Sequence, residues 1–186
     1  MSNVNLLLFG VYPYIALAIC LIGSWARFDL SQYTWKAGSS QIFHRTAAEQ
    51  LYMRRASNLF HVGVLFVLAG HFVGLLMPES LYHYVISTQN KQLLAMVSGG
   101  FFGTLCLIGL LMLLKRRLTD DRVRASSSTS DILILVVLLV QLLLGLGTIF
   151  ASTKHMDGSV MVMLANWAQY IVTLQPQLAA ESIAPV

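Results

Sequence analysis

Apolar residues along this chain gather into four blocks, from about Val4 to Trp25, Ser57 to Met77, Leu93 to Leu114 and Ile132 to Ala151. Each is long enough to cross a hydrocarbon core, which takes about 20 residues of helix. None holds an Asp, Glu, Lys or Arg in its interior. Charges and breakers stand at their edges: Arg54 and Arg55 before the second, Pro78 after it, and Lys115, Arg116 and Arg117 after the third. The pattern predicts an all-α integral membrane protein, a bundle of four transmembrane helices forming one membrane domain over 1–186. A fifth stretch, Ser159–Leu174, mixes apolar and polar residues at helical spacing and carries Trp167 and Tyr170. It is too polar to span and reads as a short helix on the outer surface. The polar run Ser126–Ser130 reads as a linker, with Asp131 as N-cap of the fourth span. The first block has no basic residue before it and no small-residue cleavage site, so it reads as a retained span and not a signal peptide.

Composition agrees. The 186 residues are 56% hydrophobic and 11% charged, against about 25% charged in a soluble domain, and the mean hydropathy is +0.69. The basic residues give an orientation. Arg27, Lys36, Arg45, Arg54 and Arg55 lie between spans one and two, and Lys115, Arg116, Arg117, Arg122 and Arg124 between spans three and four. Only Lys91 lies between spans two and three, and only Lys154 after span four. The positive-inside rule places both basic segments in the cytoplasm and the N-terminus outside. The net charge of +4 comes mostly from these two segments, which argues against a nucleic-acid partner. Trp25, Tyr33 and Trp35 at the inner boundary, and Tyr82 and Tyr84 at the outer one, fit interfacial belts.

Ionisable groups inside a span are costly and point to function. Two histidines lie in the second span, His61 and His71, within NLFHVGVLFVLAGHFVG. Ten residues of helix separate them by roughly 15 Å and turn them by roughly 80°. That is too far to share one metal ion and suitable for two cofactors stacked across the membrane. Imidazole is a common axial ligand of haem iron. Gly63, Gly70 and Gly74 flank the histidines and would let a flat porphyrin approach; the same glycines would equally let helices pack closely. Arg54 and Arg55 lie one to two turns before His61, as boundary anchors or as partners for haem propionates. Lys91 can donate to a quinone carbonyl or be a solvated loop residue. His44, His83 and His155 fall in loops or at boundaries. Cys20 and Cys106 read as small packing residues, and Gln141 as an interhelical hydrogen-bonding residue. Gly99 and Gly103 read as a packing face. No CxxCH, CxxC, P-loop or nucleophile constellation occurs, so the chain has no catalytic residues of its own for hydrolysis, phosphoryl transfer or molybdenum chemistry.

The segments VYPYIALAICLIGSWARFDLSQYTW, NLFHVGVLFVLAGHFVG, CLIGLLMLLKRRL, DRVRASSSTSDILIL and KHMDGSVMVMLANWAQ together resemble the gamma subunit of respiratory nitrate reductase, its membrane cytochrome b chain. The resemblance implies five spans and two b-type haems. By it, His61 is a ligand of the proximal haem iron near the cytoplasm and His71 of the distal haem iron near the outside. It also implies a quinol site beside the distal haem, with positions matching Lys91 and Gly70. The family takes its second axial ligands from two histidines on span five, and the sequence to Val186 holds no match for them. The sequence is therefore expected to be either a fragment of a longer chain or a truncated form of a working design.

The implied mechanism is electron transfer. Quinol is oxidised at the outer side, and its electrons pass inward by way of the two haems. An iron–sulfur beta subunit on the cytoplasmic side receives them, and a molybdenum-containing alpha subunit reduces nitrate there. The setting is the inner (plasma) membrane of a bacterium or archaeon. Two alternatives remain at the level of sequence: a cytochrome b subunit of a different molybdenum or iron–sulfur reductase, and a haem-free truncated anchor or assembly protein.

Overall fold

All four apolar blocks fold as long helices in the computed structural model, which describes residues 3–30, 46–154 and 157–183. In chain order the helices are α1 (Asn3–Leu30), α2 (Ala47–Leu76), α3 (Glu79–Tyr82), α4 (Thr88–Thr119), α5 (Asp121–Ser126), α6 (Thr129–Ser152), α7 (Ser159–Val172) and α8 (Pro176–Ile183). No strand occurs among the described residues. Helices α1, α2, α4 and α6 are each long and apolar enough to cross a membrane. The chain is an all-α membrane protein, as its hydropathy predicts.

The helices outrun the predicted spans. The 30 residues of α2 begin ten positions before Ser57, and such a helix measures about 45 Å against a core of about 30 Å. Hydropathy marks only the part that sits in hydrocarbon, whereas backbone hydrogen bonding carries the helix on through Arg54 and Arg55. For the same reason α4 starts at Thr88, so Lys91 lies in its first turn and not in a loop.

The described residues form two compact units. One, within Tyr33–Gly70 and Ala95–Lys154, packs α2 and α6 separately onto α4. Both contacts are antiparallel and depend on small residues. A Cβ on Gly63 would lie 2.5 Å from the Cys106 nitrogen, and one on Gly109 would lie 2.3 Å from the Phe60 nitrogen. Tyr52 donates to the Met112 carbonyl at 3.2 Å, Arg116 reaches the Met53 sulfur at 3.1 Å, and Phe66 stacks on Phe102 at 4.1 Å between centroids. On the other side of α4, Gly103 closes on Leu146, and Arg117 pairs with Asp131 at 3.3 Å. Cys106 is buried in the first contact, as expected, whereas Cys20 is exposed. Among the described residues a Cβ on Gly99 would meet nothing within 4 Å, whereas one on Gly103 would meet Leu146. Gln141 is exposed and makes no interhelical hydrogen bond among the described residues.

The turn into α6 corrects one expectation. Asp131 is not the N-cap; Ser128 is, and Asp131 is the third helical residue. The two form a capping box: the Ser128 Oγ accepts from the Asp131 N–H at 3.3 Å, and the Asp131 carboxylate accepts from the Ser128 N–H at 3.0 Å. Both residues are good caps by type, and reciprocal bonding decides which one holds the position.

The other unit lies within Met1–Gln32, His71–Leu94 and His155–Val186. Here α1 opens with a π-helical turn, Leu6–Val11, just before Pro13. Proline has no N–H and crowds the carbonyl four residues earlier. That carbonyl is Phe9, and the Trp167 indole of α7 donates to it at 2.9 Å. The Tyr14 hydroxyl donates to the Ile171 carbonyl at 2.9 Å, and Gln169 donates to the Leu75 carbonyl at 3.2 Å. The predicted surface helix is thus present as α7, and side-chain donors fix it to backbone carbonyls of α1 and α2. Helix α8 has no counterpart in the sequence reading. Its first residue is Pro176, a favoured start, and its Ala179 and Ala180 are fully buried.

Candidate functional site

Helix α2 carries both intramembrane histidines. Nδ1 of His61 lies 2.7 Å from the Ser57 carbonyl oxygen, one turn back, and 3.3 Å from the Ser57 Oγ. A carbonyl can only accept, so this contact calls for the proton on Nδ1. In the neutral ring that tautomer leaves the lone pair on Nε2, the arrangement a metal-bound imidazole uses, with its other nitrogen held by a backbone acceptor. The ring of Phe60 lies edge-on to that of His61 at 5.4 Å. His71 is likewise exposed on the helix surface.

The flanking glycines divide by role. The space at Gly63 is filled by the backbone of Cys106, so this glycine serves helix packing and opens no room for a porphyrin. A Cβ on Gly70 or Gly74 would meet nothing within 4 Å among the described residues. Arg54 and Arg55 are both exposed on α2. Arg54 precedes His61 by seven residues, close to two full turns, and shares its face; Arg55, six residues before, points roughly 120° away.

Lys91 is a buried cation in the first turn of α4. Its residue exposure is 9%, and Nζ has no hydrogen-bond partner among the described residues. The Tyr82 ring, 5% exposed, lies beneath it, with Nζ 3.6 Å from the ring centroid. Glu79, at the start of α3, acts on it electrostatically. Glu79 also lines a groove of 670 Å³ with Thr88, Asp157, Tyr170 and Glu181. Tyr82 therefore does not belong to an exposed interfacial belt; Tyr84, 93% exposed, does fit one. Gly158 closes the turn before α7 in the left-handed region at φ +79°, and its missing side chain admits Thr88.

A sequence model of the nitrate reductase gamma subunit matches residues 5–186. The chain belongs to that family. It is 51% identical to the respiratory nitrate reductase 1 gamma chain of Escherichia coli over 173 residues, covering 93% of this chain and 75% of that one. Identity to the respiratory nitrate reductase 2 gamma chain of the same organism is 47% over 171 residues, 92% of this chain and 74% of that one. The nitrate reductase gamma chain of Bacillus subtilis is 33% identical over 181 residues, 97% of this chain and 79% of that one. This gamma subunit thus spans about three quarters of the length of these relatives.

In this gamma subunit the expected site residues fall in two places. His61, His71, Gly70, Arg54 and Arg55 are all on α2, and Lys91 is on α4 against Tyr82. His83 is exposed just after α3, while His44 and His155 lie outside the described residues, as do Tyr33, Trp35, Lys36 and Arg45. Among the described residues no three His, Cys, Asp or Glu side chains gather as a metal site. Sequence reasoning missed Ser57, although its place one turn before His61 was a usable signal. It also missed the contact of Tyr82 with Lys91, which depends on how the chain turns between α2 and α4.

Proposed function

We propose that this gamma subunit is the membrane cytochrome b chain of a quinol:nitrate oxidoreductase in a prokaryotic inner membrane. Its N-terminus would lie outside, and its basic segments would face an iron–sulfur beta subunit and a molybdenum-containing alpha subunit in the cytoplasm. The observation that carries the reading is that one continuous membrane-length helix, in a member of this family, presents two histidines, and one of them has its Nδ1 already held by a backbone carbonyl. His61 would hold a proximal b-type haem and His71 a distal one, each giving one ligand. Arg54, on the His61 face, is better placed for a propionate than Arg55. When bound, haem supplies reversible one-electron transfer, chemistry no side chain here offers.

The chain's own part is to bind and orient. Lys91 donates to a quinol oxygen from a site where few competing acceptors reach it, which selects a ligand bearing its own oxygen. Gly70 and Gly74, each without a side chain, would leave room on α2 for a flat ring to approach. With haems held there, electron flow would run inward and the protons of quinol would leave on the outer side.

The test is the reduced-minus-oxidised optical spectrum of membranes containing this chain with its cognate reductase subunits. A b-type signal that falls by about half in His61→Ala and in His71→Ala, through loss of different spectral components, supports two haems on α2. A spectrum unchanged by either substitution would refute the ligand assignment.

A further inference from the structure

We propose that Tyr82 is a positioning residue for quinol: its ring face holds the Lys91 ammonium so that N–H groups stay directed at a quinone or quinol oxygen. This rests on the quinol reading above and adds a residue to it. Lys91 occupies a costly place. It is buried, and it stands in the first turn of α4, where the helix dipole already presents positive charge. A buried cation is ordinarily relieved by hydrogen bonds, and Nζ makes none among the described residues.

What it has is the Tyr82 ring at 3.6 Å and the more distant charge of Glu79. A ring face attracts a cation but offers no lone pair, so it takes at most one of the three N–H groups. A carboxylate in direct contact would instead have tied up two of them. The ring is itself buried, with Tyr82 5% exposed, and the backbone that carries it is tied into the turn, its carbonyl accepting from both Val85 and Ile86 at 2.9 Å. The arrangement holds the lysine on a ring face and short of acceptors, and a ligand oxygen completes it.

The experiment uses membranes holding the complete reductase, with menadiol as donor and nitrate as acceptor, and measures menadione binding to the oxidised complex separately. Tyr82→Phe retains the ring face and is expected to keep the menadiol KM within about twofold. Tyr82→Leu removes it and is expected to raise KM, and to weaken menadione binding, by about tenfold with kcat little changed. An unaltered haem spectrum in each variant reports correct assembly. If Tyr82→Leu does not assemble, Tyr82→Met takes its place as a flexible side chain without a ring. Wild-type affinity in Tyr82→Leu, alongside a large loss in Lys91→Ala, overturns the role of Tyr82 and leaves the quinol site standing. Wild-type affinity in both overturns the site as well. Equal losses in Tyr82→Phe and Tyr82→Leu would assign the effect to the hydroxyl and overturn the ring-face argument.

Discussion

Gly63→Ala should destabilise the protein, while Gly74→Ala, on the same helix, should not. The opposite signs follow from the two neighbourhoods. At Gly63 a new Cβ would lie 2.5 Å from the Cys106 nitrogen and 2.7 Å from its Cα and Cβ. Two of those three atoms are backbone and cannot rotate away, so α2 and α4 must separate by close to 1 Å. Overpacking of this kind costs about 1–3 kcal/mol, and rigid backbone neighbours put it toward the upper end. Replacing a helical glycine by alanine returns up to about 1 kcal/mol of helix propensity. The net expectation is a loss of about 1–2 kcal/mol, or roughly 2–8 °C in apparent Tm for a chain of this size. At Gly74 a Cβ meets nothing within 4 Å, so only the propensity gain remains, and Tm should hold or rise. A second readout is local. Cys106, 4% exposed, is sealed by this contact, so in a Cys20→Ser background its maleimide reaction in detergent should quicken in Gly63→Ala alone. Equal Tm shifts for the two alanines, or no change in Cys106 reactivity, would refute the packing argument.

Other consequences are as direct. Trp167→Phe removes the donor to the Phe9 carbonyl and should cost about 1–2 kcal/mol; Pro13→Ala, by restoring a backbone donor, should reduce that cost in a double-mutant cycle read by thermal unfolding. Ser128→Ala should cost about 1 kcal/mol through loss of the α6 cap, whereas Arg117→Gln, which breaks a pair whose Asp131 partner is 43% exposed, should change Tm by less than the cap does. Gly158→Ala forces a left-handed residue and a clash with the Thr88 methyl; Thr88→Ser should relieve the clash but leave the roughly 1–2 kcal/mol of backbone strain, so a partial rescue of Tm is expected.

The long helices were legible because the bilayer acts as a uniform solvent. A run of about 20 apolar residues has few alternatives there, and Leu93–Leu114 or Ile132–Ala151 declares itself without tertiary information. The ends were less legible because they leave that solvent. Beyond Arg55 or before Leu93 the helix continues on backbone bonding alone, and hydropathy does not register it. The choice of Ser128 over Asp131 as cap turned on a reciprocal pair of bonds, which composition does not distinguish. Helix α8 is short, and it is held by Ala179, Ala180 and the approach of the Pro176 carbonyl to Gly10; nothing local announces such a contact.

The candidate site divides along the same line. His61 and His71 stood out because a membrane span makes any ionisable residue conspicuous, and Ser57 follows from helical spacing. The glycines did not sort themselves: Gly63 and Gly70 are seven residues apart and nearly coincide on a helical wheel. Only the partner helix reveals that one is filled and the other open. Lys91 was harder again. As a lone cation between two spans it looked like an ordinary solvated residue, because sequence cannot tell a lysine that water surrounds from one an aromatic ring encloses. The distinction matters chemically, since a solvated ammonium has water for every N–H, whereas one held on the Tyr82 face, buried and in the first turn of α4, does not. What makes Lys91 a candidate ligand-binding group is therefore the scarcity of acceptors around it, and that scarcity is created by the turn through α3 that carries Tyr82 beneath it.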